Sequence, residues 1–433
     1  MFTTQTKIAI AKALITKRSP YYIQFYVTGR CNLKCRQCNI VETNSRLHEV
    51  TLEEIEIIAR HIRSIGGGIV LLTGGEPFVR RDMHEIVRIF KANRLDVRLQ
   101  TAGLATSEQL QMCYDEGARD INVSLDSLVE LKQDYINAVP GSWAKAIDSL
   151  ERISRIFNKK SAICSLGCVL SQFNFREIPA ILEFATAIGW YVSLVPVHIT
   201  TEAAPLGFRS YDELFKFEQT DFPELEKVLQ RVLQMKKDGA LLFDSERFIW
   251  SAFNFLQTNR PTWRKNDVCD APDLYFAVRP NGDFAVCCDH NIAENPPSLL
   301  SPSFVDDFKA GVLRKRCEPY THGCVGCHYG SYPEVTISVR DPKALLERVR
   351  LSFSMEKSPI LRDFDDGRFF ELIQEVRARH PEVYEKPMPD GIHERLSKWA
   401  DSKTRIEVIR SDNEQREREN RVRGRPPRGA ATT

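Results

Sequence analysis

YYIQFYVTGRCNLKCRQC, residues 21–38, alternates Ile23, Phe25 and Val27 and then breaks into a loop carrying Cys31, Cys35 and Cys38. Alternation is the period of a β-strand, so the three cysteines stand in the loop that leaves the strand's C-terminal end. Thiolates bind soft metals, and spacings of three and two residues let one loop turn all three toward a common centre. A closed tetrahedral site needs four ligands, and no fourth cysteine follows nearby. The triplet alone leaves open an iron–sulfur centre, a zinc site completed from elsewhere, or buried structural thiols.

The sequence beyond the loop repeats one pattern. TLEEIEIIARHIRSIGGG, residues 51–68, opens with a capping box of Thr51 and Glu54, sets Leu52, Ile55, Ala59 and Ile62 on one helical face, and stops at glycine. GIVLLT (68–73) predicts a strand, 82–93 a helix, DVRLQT (96–101) a strand, 107–116 a helix, and INVSLD (121–126) a strand. Residues 142–157 predict a helix, 162–171 a strand, 175–189 a helix, 191–197 a strand, and 223–238 a closing helix. Strict alternation of strand and helix means a parallel sheet covered by helices. Six units are fewer than the eight of a closed barrel. The expected fold is therefore α/β, a partial (β/α)6 TIM-like barrel over residues 21–240, with its chemistry at the C-terminal ends of the strands.

Those strand ends carry polar groups. The second ends in LLTGGEP (71–77), where two glycines let backbone groups approach a ligand closely. The third ends in QTAG (100–103), and the fourth carries Ser124 and Asp126. Together with the cysteine loop, the chain resembles the radical S-adenosylmethionine (SAM) superfamily. Its C-x3-C-x2-C signature is met by Cys31, Cys35 and Cys38, and its glycine motif by Gly74, Gly75, Glu76 and Pro77, within a resemblance covering about residues 20–200. The resemblance implies that the three cysteines hold three irons of a [4Fe-4S] cluster while the fourth iron binds SAM, which answers the missing ligand. It implies reductive cleavage of SAM to methionine and a 5′-deoxyadenosyl radical that takes a hydrogen atom from an organic substrate, the cofactor carrying the hard chemistry. It places the backbone of Thr73, Gly74 and Gly75 against the SAM amino group with Glu76 in support, and Ser124 and Asp126 near the ribose or carboxylate. The family's aromatic residue before the third cysteine is here Gln37, whose amide offers hydrogen bonds instead of stacking.

A second cysteine group follows. CDAPDLYFAVRPNGDFAVCCDH (269–290) precedes Cys317 and CVGC (324–327), with Asn281–Gly282 as a turn signal. C-x12-G-x4-C from Cys269 to Cys287, then CxxC, resembles the SPASM or twitch auxiliary module. That resemblance implies that Cys269, Cys287, Cys324 and Cys327 hold one auxiliary [4Fe-4S] cluster, with Cys317 able to replace either of the last two. If FAVCC is a strand, neighbouring side chains face opposite ways, and Cys288 points away from the cluster. Zinc is the alternative, since CxxC pairs are common zinc ligands, with His290, His322 and His328 as further candidates. Cys113, Cys164 and Cys168 are expected as small core residues.

The 433 residues carry a net charge of +2 and 42% hydrophobic content, enough for a large domain and a smaller one. The charge balance gives no reason to expect a nucleic-acid partner. No run of apolar residues is long enough for a transmembrane helix, and no signal peptide is evident. Twelve cysteines, clustered rather than spread, fit metal chemistry in a reducing compartment, hence the cytoplasm. The chain divides into an N-terminal helical extension (1–20), the barrel (21–240), a bridging region (241–268) whose FIWSAFNFL packs on the barrel, the auxiliary module (269–335), a mixed helical region (336–400) and a disordered charged tail (401–433). The N-terminal helix packs on the domain or lies on a membrane surface. As a radical SAM enzyme the chain needs an electron donor such as flavodoxin or ferredoxin and a small-molecule or peptide substrate. The auxiliary cluster favours net oxidation or bond formation. Alternatives are maturation of a ribosomally made peptide, with a separate recognition protein, modification of a lipid or isoprenoid, or a non-catalytic iron–sulfur or zinc protein.

Overall fold

The computed structural model describes residues 2–157, 162–199, 210, 212–322, 324–355, 360–389 and 391–400. The tail expected to be disordered, 401–433, lies outside them. Eight strands form one sheet: β1 Tyr22–Thr28, β2 Ile69–Gly74, β3 Asp96–Thr101, β4 Asp120–Ser124, β5 Ile163–Leu170, β6 Tyr191–Pro196, β7 Tyr275–Val278 and β8 Phe284–Ala285. Their order is β6-β5-β4-β3-β2-β1-β7-β8. Neighbours from β6 to β7 run parallel, and only β7–β8 is antiparallel. The six expected strands lie side by side in chain order, and β1 and β6 do not pair, so the barrel is open.

The physics of each unit is local. Thr51 and Glu54 make both bonds of the capping box, Thr51 N–H to Glu54 Oε2 at 2.8 Å and Glu54 N–H to Thr51 Oγ1 at 3.3 Å. They start the helix Leu52–Ser64, which buries Ile55, Ile58, Ala59 and Ile62. An N-cap of this kind contributes about 1 kcal/mol. Every residue of β1 is buried. Its alternation separates not core from solvent but a helix-covered face, with Ile23, Phe25 and Val27, from a barrel-interior face with Gln24, as expected of a parallel sheet covered on both sides.

The structure adds elements the sequence pattern did not show. A helix, Glu130–Asn137, stands between β4 and the helix Ser142–Ile156. FIWSAFNFL lies in the helix Glu246–Thr258, which buries Phe248, Ile249, Ala252 and Phe255. β7 joins the barrel sheet directly, pairing Tyr22 with Tyr275 through Phe25 with Val278. FAVCC is strand only at Phe284–Ala285, and Cys287 and Cys288 fall in the turn beyond, where Cys287 N–H reaches the His290 carbonyl at 3.3 Å. The N-terminal helix Thr4–Thr16 packs on the domain through Thr6, Ala9 and Ala13, with Thr6 Oγ1 donating to the Gly68 carbonyl at 2.8 Å. Among the described residues no helix is long and apolar enough to cross a membrane.

Candidate functional site

A cavity of about 240 Å³ opens at the C-terminal ends of the parallel strands. Cys31, Cys35 and Cys38 all line it. Their loop is held by the end of the helix Glu130–Asn137. Lys34 N–H donates to the Asn137 carbonyl at 3.1 Å and Arg36 N–H to the Ile136 carbonyl at 2.8 Å, while the Cys35 thiol meets Asn137 Oδ1 at 3.5 Å.

The facing wall is the end of β2. Thr73, Gly74 and Gly75 line the cavity. A Cβ on Gly74, whose φ is +142°, would stand 2.2 Å from the Thr28 carbonyl oxygen, and one on Gly75 would stand 2.0 Å from that of Arg30 and 3.0 Å from Cys31 Cβ. The glycine pair is thus required by the close seating of this turn against β1 and the cysteine loop, a stronger demand than the ligand approach expected from sequence. Gly75 N–H donates to the Thr28 carbonyl at 3.0 Å and Glu76 N–H to that of Arg30 at 2.9 Å.

Glu76 does not line the cavity. Its buried carboxylate accepts from Thr101 Oγ1 at 2.9 Å, Ala102 N–H at 2.7 Å and Phe78 N–H at 3.1 Å, and burial pushes it up to about 7. It ties the GGEP turn to the end of β3, whose Thr101 and Ala102 do line the cavity. Ser124 and Asp126 also line it. Ser124 Oγ accepts from Gln100 Nε2 at 3.1 Å. The Asp126 carboxylate accepts from Gln37 Nε2 at 2.8 Å and Val169 N–H at 2.6 Å, and burial pushes it up to about 6. Gln37 is therefore engaged in a hydrogen bond across the cavity.

Several lining residues were not singled out from sequence: Gln24, Asn122, His198, Tyr329 and Tyr332. Gln24 had a signal, a polar residue on the interior face of β1. His198 Nε2 accepts the His328 N–H at 2.9 Å, and its ring stacks on Tyr329 at 4.0 Å between centroids. Cys113, Cys164 and Cys168 are core residues as expected, and Cys168 also lines this cavity. Among the described residues, no lysine or arginine lines it.

Cys269, Cys287, Cys324 and Cys327 surround a second, small cavity of about 20 Å³ with His290, Tyr320 and Tyr332. The CxxC loop is fixed by Trp263 Nε1 on the Cys327 carbonyl at 2.8 Å and Arg264 Nη1 on the Cys324 carbonyl at 3.0 Å. The contact between Cys269 and Cys324 lowers the Cys324 thiol and raises that of Cys269, while burial raises Cys287 and Cys327. Among the described residues, no three His, Cys, Asp or Glu groups converge closely enough to hold one ion. Thiolates sharing one zinc at 2.3 Å stand about 3.8 Å apart. In a cubane each takes a different iron, so the four stand farther apart. Of the histidines considered for zinc, His290 approaches a thiol, Cys324 Sγ at 3.6 Å. His328 is buried and lines neither cavity, and His322 contacts the Glu318 carbonyl. Cys317 is buried on the helix Val312–His322 outside this cavity.

Cys287 and Cys288 part company. Cys287 lines the small cavity and Cys288 the large one, where its thiol donates to Gln24 Oε1 at 3.2 Å. Tyr332 lines both.

Among known proteins, residues 25–185 match the profile described as the Radical SAM superfamily. A probable GTP 3′,8-cyclase from Methanocaldococcus jannaschii is 30% identical over 320 residues, covering 70% of this chain and 93% of that protein. A probable GTP 3′,8-cyclase from Methanocella arvoryzae is 33% identical over 129 residues, and the AdoMet-dependent heme synthase of Methanosarcina barkeri is 30% identical over 173. Those matches cover 30% and 40% of this chain, which spans less than half of either relative, 42% and 48%. Among solved structures, Streptococcus suis SuiB superposes with a TM-score of 0.52 at 15% identity, over 78% of each chain. Its complex with S-adenosylmethionine gives 0.51 at 15% identity, over 78% of this chain and 79% of that one. At that identity the likeness is one of fold.

Proposed function

The chain belongs to the radical SAM superfamily, and on that premise we propose that Cys31, Cys35 and Cys38 hold three irons of its [4Fe-4S] cluster, with SAM completing the fourth and lying toward Thr73–Gly75, Ser124 and Asp126. When bound, cluster and SAM supply a one-electron cleavage of the sulfonium to methionine and a 5′-deoxyadenosyl radical that removes a hydrogen atom from the substrate. The residues present fit those groups: three thiols and a glycine turn without side chains line one cavity. The helix end at Ile136–Asn137 orients the thiols. Glu76 locks the GGEP turn to β3. Gln37 and Asp126 hold each other across the cavity, and Leu71, Val169, Val195 and Val197 keep its wall dry.

Cys269, Cys287, Cys324 and Cys327 hold a second, fully ligated [4Fe-4S] cluster. When bound there, such a cluster would supply an electron acceptor, which favours a net oxidation or bond formation. The electron for SAM cleavage comes from a flavodoxin or ferredoxin, in the cytoplasm, where the cysteines stay reduced. The carrying observation is that the three signature thiols and the polar ends of β2, β3 and β4 line one cavity. Anaerobic reconstitution, reduction with dithionite and assay for 5′-deoxyadenosine test it; no 5′-deoxyadenosine above the SAM-free control ends it.

The named relatives favour one other reading, a GTP substrate. A triphosphate calls for arginine or lysine, and none lines the cavity among the described residues. We expect GTP to leave the rate of 5′-deoxyadenosine formation unchanged and to be recovered intact by chromatography. Its conversion to a cyclised product would reverse this.

Gly75→Val tests the seating of the turn. Because its Cβ meets the Arg30 carbonyl and Cys31 rather than open space, valine should push the cysteine loop away. Both iron content and SAM affinity should then fall. Full iron with weakened SAM binding would instead show that the glycine serves ligand approach alone.

A further inference from the structure

Between Cys35 and Cys38 the loop has two residues whose side chains part. Gln37 turns into the cavity, to Asp126. Arg36 turns away, and its side chain is 0% exposed. A buried guanidinium is costly unless paired and hydrogen-bonded. Here Nη1 meets Asp212 Oδ2 at 3.1 Å, the guanidinium lies 4.1 Å over the Tyr135 ring, and Tyr135 OH donates to the same Asp212 oxygen at 2.7 Å. Nη2 donates to the Arg395 carbonyl at 3.2 Å, 359 residues away in sequence. The Arg36 backbone is held as well, its carbonyl by Ser210 Oγ at 2.7 Å and its N–H by the Ile136 carbonyl at 2.8 Å.

Arg395 lies in the helix Ile392–Ala400. That helix seats Ile392 in a small apolar cluster with Tyr135, Ile136, Phe173, Leu214 and Phe215. The middle of the cysteine loop is thus joined to three distant parts of the chain: the helix Glu130–Asn137, Ser210 with Asp212, and the helix Ile392–Ala400. We propose that Arg36 is a positioning residue that holds the cysteine loop in its cluster-binding shape, and that through it the first cluster depends on the docked helix Ile392–Ala400. The inference rests on the assignment of Cys31, Cys35 and Cys38 as cluster ligands.

Two full-length variants test it: Arg36→Met, and the double variant Ile392→Glu/Leu396→Glu, which puts charge on two buried side chains of the helix to detach it and leaves Arg36 in place. Iron is counted after anaerobic reconstitution, and the reduced cluster's spin-resonance spectrum is recorded with and without SAM. Both variants should keep about four of about eight irons, since each cubane holds four, and should lose the SAM-dependent spectral change. Arg36→Lys keeps the charge without the planar fork and stack and should fall between Arg36→Met and the parent. Full iron with an unchanged SAM response in either of the first two variants overturns the proposal. So does loss of both clusters in both, which would assign the network to the fold rather than to the loop. Should Arg36→Met alone fail to fold, the helix variant decides. A parent protein with no SAM-responsive cluster would bring down the ligand assignment itself, whereas a responsive parent with responsive variants removes only the role of Arg36.

Discussion

Replacing Cys31, Cys35 and Cys38 together by alanine is expected to abolish 5′-deoxyadenosine formation and to leave about half the iron, about four atoms of about eight per chain. The three thiols line the large cavity, while Cys269, Cys287, Cys324 and Cys327 line the small one. The two sets are fixed by different contacts. The first loop hangs on Asn137 and Arg36, and the CxxC loop on Trp263 and Arg264. Loss of one set should therefore leave the other able to load. Alanine removes a thiol without adding bulk, so the barrel should remain folded and its melting transition cooperative. Retained SAM cleavage in the triple variant would sink the assignment of this cavity to radical chemistry. Loss of all iron would mean that the two sites assemble as one, against their separate supports.

The barrel was legible because strand-length segments, several with the alternation of a strand as in DVRLQT, take turns with helices that carry an apolar stripe. The helix Glu130–Asn137 was not, and the reason is physical. Beside Tyr135 and Ile136 it buries Gln133, Asp134 and Asn137, polar groups used for hydrogen bonding, so it shows no apolar stripe of helical period. Gln133 Oε1 accepts from Asp126 N–H and Ser127 N–H at 2.8 and 2.9 Å, and Asp134 caps the next helix through Gly141 N–H and Trp143 N–H. No hydropathy pattern reports such a helix, yet it orients the cysteine loop. β7 was missed for the opposite reason. YFAV is four residues long and buried throughout, and a short apolar run shows no period to tell strand from helix.

The site divides in the same way. Residues that act within one short loop, the cysteine triplet and the GGEP turn, are visible as spacing. Residues brought in by topology are not. His198 reaches the cavity from beyond β6, and Tyr329 and Tyr332 reach it from beside the CxxC loop. The meaning of the glycine pair also needed three dimensions, because the atoms it must avoid belong to Thr28 and Arg30, more than forty residues earlier.

The adjacent Cys287 and Cys288 separate the two cavities most sharply. Side chains on opposite faces were expected from a strand. The strand stops at Ala285, and the following turn achieves the same divergence. Cys287 faces the three other thiols of the small cavity. Cys288 faces the reaction cavity and donates to Gln24 Oε1 at 3.2 Å. Cys287→Ser should therefore lose the second cluster, about four irons per chain, while SAM cleavage partly survives at the other site. Cys288→Ser should keep both clusters, since a serine hydroxyl makes the same hydrogen bond to Gln24 in a slightly smaller volume. Iron content and the spin-resonance spectra of the two reduced variants decide between them. If Cys288→Ser strips the cluster and Cys287→Ser does not, the turn presents the other thiol to the iron and the assignment is off by one. If both variants keep full iron, three cysteines with His290, whose Nε2 already stands 3.6 Å from Cys324 Sγ, suffice to hold the metal.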